Sequence, residues 1–423
     1  MPIAFDASED FAVAMDGADP LAGYRERFWS PKTSGGESCV YLCGHSLGLQ
    51  PKSAHQYIEQ ELKDWAELGV EGHFRAQHPW MPYHRLLTDH VAELIGATPE
   101  EVVVMNSLTV NLHLMMVSFY RPSRERHKIV IERGAFPSDQ YAVKSQISFH
   151  RFDPASSLIE IAPRPGETCI RDEDARSLIE REGDSVSLVL LAGVNYSTGQ
   201  AFDLPAITQI GHAKGCIVGF DLAHAAGNLH LKLHEWGPDF AVWCSYKYLN
   251  GGPGCVAGCF VHERYARSRE MPRFAGWWGH NETSRFEMGP EFQPMSGAEG
   301  WQLSNPPIVA LAALRASMDI FHEAGIEQLR TKSIALTGYL EFLLDQFPSR
   351  KFSIVTPRDP ERRGAQLSVR ISNNGRLLCE KLAAAGVIGD WREPDTFRIA
   401  PVPLYNSYRD VYRFVQQFVA ALG

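Results

Sequence analysis

The sequence predicts an α/β fold in which a mostly parallel sheet is flanked by helices. Apolar runs typical of buried strands alternate with helical stretches from about residue 50 to residue 305. Polar residues follow several of these runs, and parallel sheets bind their ligands beyond the carboxyl ends of the strands. The strand-like runs begin near residues 102, 129, 188, 216, 240 and 255.

The most informative polar residue is Lys247, in the segment SYKYLNGGPG (245–254). The residues before it, FAVWC (240–244), are apolar enough for a strand buried on both faces. A lysine at the mouth of such a strand is partly desolvated, which favours the neutral amine that forms imines. The glycines after it predict a turn that lets a ligand approach the backbone. On this segment alone, a surface lysine in a Tyr/Gly loop is an equal alternative.

Asp221 and His224 follow the preceding predicted strand, in the segment CIVGFDLAHAAG (216–227). A pyridoxal phosphate site needs a carboxylate that pairs with the pyridinium nitrogen and a lysine that holds the aldehyde as a Schiff base. Asp221 and Lys247 together fit this requirement. Asp221 alone would also fit a turn or a helix cap. His224 is placed to stack on the ring, and a loop histidine that caps a helix is the alternative.

Two further strand exits, in segments 102–113 and 128–143, predict the rest of such a site. The first runs into a helix N-terminus, whose backbone amides and hydroxyls bind anions such as phosphate. The second brings an aromatic ring that can stack on a pyridine and a carboxylate that can orient polar groups. Ordinary helix capping explains both segments as well. The candidate residues are Leu108, Thr109, Phe136, Pro137, Ser138 and Asp139.

A long helical region from about residue 306 leads into a second, smaller α+β pattern. There the predicted strands 366–371 and 396–401 alternate with the predicted helices 375–386 and 407–422. We therefore predict an N-terminal arm that contributes to the small domain, a large cofactor-binding domain and a small C-terminal domain. Their predicted ranges are 1–50, 51–310 and 311–423.

Arg398 lies in the second of these strands, in the segment TFRIAPVPLYN (396–406). An arginine at this position can bind a substrate carboxylate through two parallel hydrogen bonds. A charged residue that faces solvent on an edge strand would occupy the same place in the sequence pattern. The pattern therefore does not distinguish a carboxylate-binding arginine from a solvent-facing one.

Composition narrows the class of protein. The chain has 423 residues, of which 44% are hydrophobic and 22% charged, as in soluble two-domain enzymes. A net charge of −9 argues against nucleic acid or an acidic membrane as the main partner. No apolar run approaches the roughly 20 residues of a membrane span, and the acidic N-terminus lacks a signal-peptide pattern. The eight cysteines lack the paired spacing of a zinc site, so we expect no metal and a cytoplasmic location.

The chain resembles the kynureninases, a family of aspartate-aminotransferase-like (fold type I) enzymes that depend on pyridoxal phosphate. The resemblance covers nearly the whole chain, and it is specific because many segments match in order. The matching segments are GHSLGLQP (44–51), MNSLTVNLHLMM (105–116), AFPSDQYA (135–142), GFDLAHAAGN (219–228), WCSYKYLNGGPG (243–254), GWWGH (276–280), LSNPP (303–307) and RIAPVPLYNS (398–407). It implies a mostly parallel seven-stranded sheet and a small C-terminal α+β domain.

The resemblance also implies roles for the residues around the cofactor. Lys247 would be the Schiff-base lysine and the base that moves protons at the substrate Cα, and Tyr246 would relay protons. Asp221 would pair with the pyridinium nitrogen, beside His224. The other implied cofactor contacts are Leu108, Thr109 and Tyr246 at the phosphate, and Phe136, Pro137, Ser138, Asp139 and Ala192 around the ring.

On the substrate side, the resemblance implies a homodimer whose active sites are shared between subunits. Trp277 and Asn305 match positions that reach the phosphate region from the neighbouring subunit. Arg398 matches the clamp for the substrate carboxylate. His73, Ser46 and Asn305 match positions around the aryl ketone.

The implied reaction is hydrolysis of the Cβ–Cγ bond of L-kynurenine to anthranilate and L-alanine, or of 3-hydroxy-L-kynurenine to 3-hydroxyanthranilate and L-alanine. It would serve tryptophan catabolism, the kynurenine pathway and NAD biosynthesis. One alternative is a lyase of the cysteine desulfurase group, which needs a mobile nucleophilic cysteine. Cys255 lies in an apolar run and is a poor candidate. The other is a non-catalytic amino-acid-binding regulator, which the loss of Lys247 or Asp221 would have favoured.

Two residues depart from the family pattern. His45 replaces the asparagine of the usual GNSLG, and Ala192 stands where relatives often carry a hydroxyl near the cofactor. Since neither departure touches Lys247 or Asp221, we expect the chemistry to survive.

Overall fold

The structure, a computed structural model, describes residues 3–268, 270–347 and 350–423. Its N-terminal part contains one helix and three two-residue strands, of which the first and third pair with each other antiparallel. These elements are α1 (Glu9–Gly17), β1 (Phe28–Trp29), β2 (Val40–Tyr41) and β3 (Gln50–Pro51).

The central part of the chain alternates strands with helices. Its strands are β4 (Val102–Val104), β5 (Lys128–Glu132), β6 (Leu158–Ile161), β7 (Val186–Ala192), β8 (Ile217–Asp221), β9 (Phe240–Trp243) and β10 (Gly258–Val261). Its helices are α2 (Ala54–Leu68), α3 (Gly72–Arg75), α4 (Thr88–Ile95), α5 (Leu108–Phe119), α6 (Pro137–Phe149), α7 (Pro154–Ser157), α8 (Asp172–Glu182), α9 (Leu204–Ala213) and α10 (Leu233–Trp236).

The seven central strands form one sheet in the order β4-β10-β9-β8-β7-β5-β6. Strands β9, β8, β7, β5 and β6 pair in parallel, and β10 is antiparallel to both of its neighbours. Because β4 and β9 both oppose β10, they run in the same direction. The predicted mostly parallel seven-stranded sheet is confirmed. The carboxyl ends of β4, β5, β7, β8 and β9 therefore meet at one edge of the sheet.

The strands are buried on both faces, which explains their continuous apolar runs. In β9, Ala241 and Trp243 pack into one hydrophobic core, and Phe240 and Val242 pack into another. Alternate side chains of a strand point to opposite faces, so each strand serves two layers of helices. This double burial fixes where each strand ends and hence where the polar residues after it emerge.

The C-terminal part contains two long helices followed by a smaller sheet of order β11-β12-β15-β14, in which all pairings are antiparallel. Its elements are α11 (Ile308–Ala324), α12 (Ile326–Asp345), β11 (Phe352–Ile354), β12 (Leu367–Ile371), α13 (Gly375–Ala384), β13 (Val387–Ile388), β14 (Asp390–Arg392), β15 (Thr396–Ile399) and α14 (Tyr408–Leu422). None of the helices in the described part of the chain is long and apolar enough to cross a membrane.

The N-terminal arm contacts this C-terminal part. Strand β2 pairs in parallel with β13, and Cys43 bridges to Ala400 just after β15. Helix α1 packs on α14, and Ala12 lies in the same hydrophobic core as Phe414. These contacts place the loop between β2 and β3, residues 42–49, beside the carboxyl edge of the central sheet.

Candidate active site

One cavity at the carboxyl edge of the central sheet brings together most of the cofactor residues that the sequence predicts. It is lined by Leu108, Thr109, Phe136, Ser138, Asp139, Ala192, Asp221, His224, Tyr246 and Lys247. The same cavity is also lined by Glu132, Val194, Tyr196 and Ala223. Segments far apart in the chain meet here because parallel strands deliver their carboxyl ends to one edge.

Lys247 follows β9 and contacts His224. Its Nζ lies 3.1 Å from His224 Nε2 and 5.8 Å from the ring centres of Phe136 and Tyr246. His224 is buried, and its pKa lies well below the usual value because burial and the nearby Lys247 charge disfavour the imidazolium. The neutral ring therefore accepts a hydrogen bond from the lysine. His224 Nδ1 is buried without a hydrogen-bond partner among the described residues.

Three buried carboxyl groups face the same cavity. Asp221 accepts a hydrogen bond from the Ala223 amide at 2.7 Å, and burial raises the pKa of Asp221. Burial and the neighbouring Asp221 raise the pKa of Asp139 well above its usual value. Burial raises the pKa of Glu132 to about 7. A cation such as a protonated ring nitrogen would relieve this concentration of acid. The residues thus fit the pyridinium end of pyridoxal phosphate.

Two helix N-termini also border the cavity. Helix α5 begins at Leu108, directly after a turn in which Asn106 adopts a left-handed backbone with φ of 51°. Helix α6 begins at Pro137, whose missing N–H costs nothing at a first helical position. The Thr109 and Ser138 hydroxyls meet at 2.9 Å between these helices. Two positive helix ends and two hydroxyls fit the phosphate of the cofactor.

The loop between β2 and β3 is seated on the lysine segment. The Gly48 amide donates to the Tyr246 carbonyl at 2.9 Å. A Cβ on Gly48 would come within 2.3 Å of the Lys247 carbonyl oxygen, so only glycine permits this approach. Ser46, predicted near the aryl ketone, lies half-buried in this loop, and its amide donates to the Cys43 carbonyl. Ser46 is not among the described residues that line the Lys247 cavity.

Arg398 is buried, with 1% of its surface exposed, and its strand β15 lies between β12 and β14. The alternative of a solvent-facing charge on an edge strand is therefore wrong. Its Nη1 donates to the Tyr196 carbonyl at 2.8 Å, and its Nη2 donates to Asp390. Tyr196 lines the Lys247 cavity and contacts Phe136 edge to face. Arg398 therefore lies just behind the wall of the cavity, held by two protein acceptors.

Three other predicted residues lie away from the cavity. Trp277 is 43% exposed, and its Nε1 donates to the Arg285 carbonyl at 3.3 Å. Asn305 is exposed. The segments carrying both are joined, because the Trp278 amide donates to the Leu303 carbonyl. His73 belongs to α3 and packs edge to face on Trp80. None of the three lines the Lys247 cavity in the described part of this chain.

Sequence reasoning missed three residues. Glu132 ends β5 at the same sheet edge as Asp221, and this position could have identified it. Tyr196 lies in a loop after β7, and Asp390 lies on the short strand β14 without a recognisable motif.

The glycine turn after Lys247, predicted to let a ligand approach the backbone beside the lysine, has a different environment in the structure. Gly251 and Gly252 line a second, apolar cavity rather than the one with the lysine.

This second cavity, hereafter the apolar groove, has a volume of about 1070 Å³. It lies between the loop after Lys247, strand β3 and the start of α11, and its lining includes Trp29, Val309 and Cys255. Trp29 is 56% exposed. The Cys255 thiol is buried, and burial raises its pKa to about 12. A nucleophilic cysteine needs an accessible thiolate, so Cys255 does not fit the role required by the desulfurase alternative.

Comparisons with known proteins agree with this geometry. A family model for the kynureninase C-terminal domain matches residues 329–418. The kynureninase of Koribacter versatilis is 69% identical over 99% of both chains. That of Myxococcus xanthus is 60% identical over 98% of this chain and 97% of the relative. That of Stenotrophomonas maltophilia is 54% identical over 98% and 99% of the two chains.

Among solved structures, the fold is similar to the cysteine desulfurase CsdA of Escherichia coli, with a TM-score of 0.75 and 17% identity over 95% of this chain and 98% of that one. It is also similar to the cystine C–S lyase C-DES in complex with its product cysteine persulfide, with a TM-score of 0.74 and 18% identity over 90% and 97% of the two chains. At this level of identity the likeness concerns the fold alone. The full-length relatives are more specific, and this chain belongs to the kynureninase family.

Proposed function

We propose that this protein hydrolyses the Cβ–Cγ bond of L-kynurenine to anthranilate and L-alanine, with pyridoxal phosphate as its cofactor. The observation that carries the proposal is the convergence of Lys247, His224 and Asp221 on one cavity in a member of the kynureninase family. When bound, the cofactor supplies an electron sink for negative charge that develops on the substrate.

The residues proposed to hold the cofactor fall into two groups of the cavity lining. Asp221, with Asp139 and Glu132 behind it, pairs with the ring nitrogen. The N-termini of α5 and α6, with the Thr109 and Ser138 hydroxyls, bind the phosphate. The remaining contacts are proposed for Leu108, Phe136, Pro137, Ala192, His224 and Tyr246, with Lys247 as the covalent attachment point.

The chain's own groups then move protons. A free Lys247 amine would take the proton from the substrate Cα, and the neutral His224 would orient that amine by accepting its hydrogen bond. Hydrolysis consumes one water: its hydroxyl joins the γ-carbonyl carbon, which becomes the anthranilate carboxyl, and a proton joins Cβ, which becomes the alanine methyl. Burial raises the pKa of the Tyr246 phenol. This phenol is therefore protonated at neutral pH and can donate to Cβ.

We also propose a homodimer in which Trp277 and Asn305 complete the active site of the partner subunit, while Arg398 binds the substrate carboxylate and His73 and Ser46 lie near the aryl ketone. Two features support the dimer. The apolar groove reaches from the lysine loop to Pro307 and α11, two residues beyond Asn305. Phe274, Phe286 and Met288, near Trp277, are each more than half exposed. Exposed apolar surface on this scale is typical of a protein interface.

Light scattering of the purified protein tests the dimer. Val309 lines the groove and is 44% exposed, so Val309→Arg is expected to produce monomers without unfolding the chain. Leu377, which is 49% exposed on α13, provides a control, since Leu377→Arg leaves the groove intact. A monomeric wild-type protein with full activity would contradict the shared site.

Anthranilate fluorescence tests the activity. The holoenzyme is expected to release equal amounts of anthranilate and L-alanine from L-kynurenine, and to release no sulfide from L-cysteine. Sulfide release without anthranilate would favour the desulfurase alternative, and binding without turnover would favour a regulator. Comparing kcat/KM for L-kynurenine and 3-hydroxy-L-kynurenine identifies the preferred substrate.

The broader assignments follow from this reaction. The protein is proposed to be a hydrolase of carbon–carbon bonds in ketonic substrates, acting in tryptophan catabolism and the kynurenine pathway to NAD. All eight cysteines are free, as expected in the reducing cytoplasm, where we place the protein. We also propose the division into an arm (1–50), a large domain (51–310) and a small domain (311–423).

A further inference from the structure

His45, the histidine that departs from the family pattern, lies between the lysine and Arg398. Its ring is fully buried in the loop between β2 and β3. On one side its centre lies 6.4 Å from that of His224, which contacts Lys247. On the other side its Nε2 lies 3.5 Å from an Asp390 carboxylate oxygen, close enough for an electrostatic contact but without hydrogen-bond geometry. Both ring nitrogens of His45 are buried, and neither makes a hydrogen bond in the described structure, so the Nε2–Asp390 approach is its closest polar contact to a charged group.

Asp390 is the residue that orients Arg398. It stands directly opposite Arg398 in the pairing of β14 with β15. The same Asp390 oxygen accepts from Arg398 Nη2 and from Arg392 Nη2, the latter at 3.1 Å. Arg398 Nε is buried and has no acceptor among the residues that the structure describes. The guanidinium is thus fixed through Asp390 and still has a donor for a further acceptor.

The protonation state of His45 determines what it can do for Asp390. Burial, and then the charge of Arg398, lower the pKa of His45 to about 4, so the ring is neutral near pH 7. A neutral imidazole has one donor and one acceptor nitrogen. The Asp390 carboxylate only accepts, so the ring N–H belongs at Nε2. His45 can therefore restrain Asp390 without neutralising it, and the charge of Asp390 remains available to Arg398.

We propose that His45 is a positioning residue for the substrate's α-carboxylate: it restrains Asp390, which holds Arg398 in the orientation that binds the carboxylate. This inference rests on the proposed function, because it assigns Arg398 to the substrate. An asparagine at position 45 reaches only as far as the place of Nδ1, whereas a glutamine reaches the place of Nε2. Asparagine, although usual in the family, therefore cannot replace the Nε2 contact in this chain.

The test compares the binding of L-alanine with that of ethylamine, which is alanine without its carboxylate. Dissociation constants come from the change in visible absorbance when each amine is added to the holoenzyme. We expect His45→Phe and His45→Asn to weaken L-alanine binding about tenfold, at the lower end of the loss of a polar contact to a charged group. His45→Gln should stay within about twofold of wild type, a change of less than 1 kcal/mol. All three should bind ethylamine as the wild type does.

Steady-state kinetics and a surface control complete the design. The Phe and Asn variants should raise KM for L-kynurenine with little change in kcat, because the clamp acts on the carboxylate. His55→Asn replaces an 82% exposed histidine on α2 and should change neither constant. Thermal unfolding detects any variant that has lost stability. If His45→Phe does not fold, L-alanine binding by His45→Gln is compared with that by His45→Asn, and this comparison tests the inference.

Equal L-alanine binding by the Gln, Asn and wild-type proteins would overturn the inference, as would a parallel loss of ethylamine binding. These outcomes are distinct from failure of the proposed function. In that case the wild-type holoenzyme itself would release no anthranilate from L-kynurenine.

Discussion

The cofactor side and the aryl side of the proposed site differ in how much of each one chain builds. The cofactor side, defined by Lys247, Asp221 and His224, consists of buried or half-buried groups that line one cavity at the sheet edge, where Lys247 contacts His224. The aryl side, defined by Trp277 and Asn305, consists of exposed groups beside the apolar groove. One chain thus assembles the reacting groups, and we infer that a second chain supplies the surface that encloses the substrate.

The two sides also differ in their electrostatics. The cofactor side concentrates Glu132, Asp139 and Asp221 around one lysine, and burial raises the pKa of all three carboxyl groups. Such a cluster is costly unless a cation or shared protons compensate it. The aryl side carries mainly exposed aromatic and amide groups. Its unfavourable free energy comes from apolar surface exposed to water rather than from buried charge. A bound cofactor should therefore stabilise the first side, and a partner subunit should stabilise the second.

The largest effect is expected from Lys247→Ala. The attachment point and the Cα base are lost together, so anthranilate release should fall by at least about 10³-fold. Lys63→Ala, at an exposed position on α2, is the control and should retain full activity. Normal steady-state anthranilate fluorescence from Lys247→Ala would remove the cofactor side from the mechanism.

Arg398→Ala should produce the next largest effect. The substrate carboxylate loses its partner, which costs about 2–5 kcal/mol of binding by analogy with broken buried charge pairs. KM for L-kynurenine should rise far more than kcat falls. Arg370→Ala, on the exposed face of the neighbouring strand β12, is the matched control. An unchanged KM in Arg398→Ala would show that the clamp lies elsewhere.

Glu132→Gln tests the charge cluster through pH. Burial raises the pKa of Glu132 from 4.5 to about 7 in the folded protein. The unfolded chain then releases its proton at lower pH than the folded one, so this group destabilises the fold progressively as pH rises from about 4.5 to 7. We measure the free energy of unfolding of the cofactor-free proteins in urea. Across this pH window, that of the wild type should fall by about 2–3 kcal/mol relative to that of Glu132→Gln. A constant difference between the two proteins would contradict a buried, protonated Glu132.

Most of the cofactor side was predictable because the sheet determines it. Buried strands show as apolar runs, parallel strands end at one edge, and polar residues after those runs must meet there. The pairing of Asp221 with Lys247 follows from this rule alone, independently of the family resemblance. Glu132 obeys the same rule, because it ends β5 at this edge, but it was not predicted.

The rest of the site was not predictable in the same way. Asp390 and Arg398 meet through the pairing of two short strands, β14 and β15, whose register no motif specifies. The loop containing His45 reaches the lysine only because Gly48 allows close backbone approach. Trp277 and Asn305 were identified by resemblance alone, and their proposed roles depend on a second chain.

The smallest expected effect addresses the aryl side directly. Trp277→Ala removes one exposed aromatic contact, so activity should fall about tenfold, as for the loss of about 1.4 kcal/mol. The informative experiment mixes this variant with the inactive Lys247→Ala, after dissociating and reassociating the subunits. In a shared site, each mixed dimer regains one intact site, with Lys247 from one chain and Trp277 from the other. Activity should therefore rise to about a quarter of the wild-type value, because half of the dimers are mixed. If mixing gives only the average of the two parents, Trp277 acts within its own chain, and the aryl side does not depend on the partner through this residue.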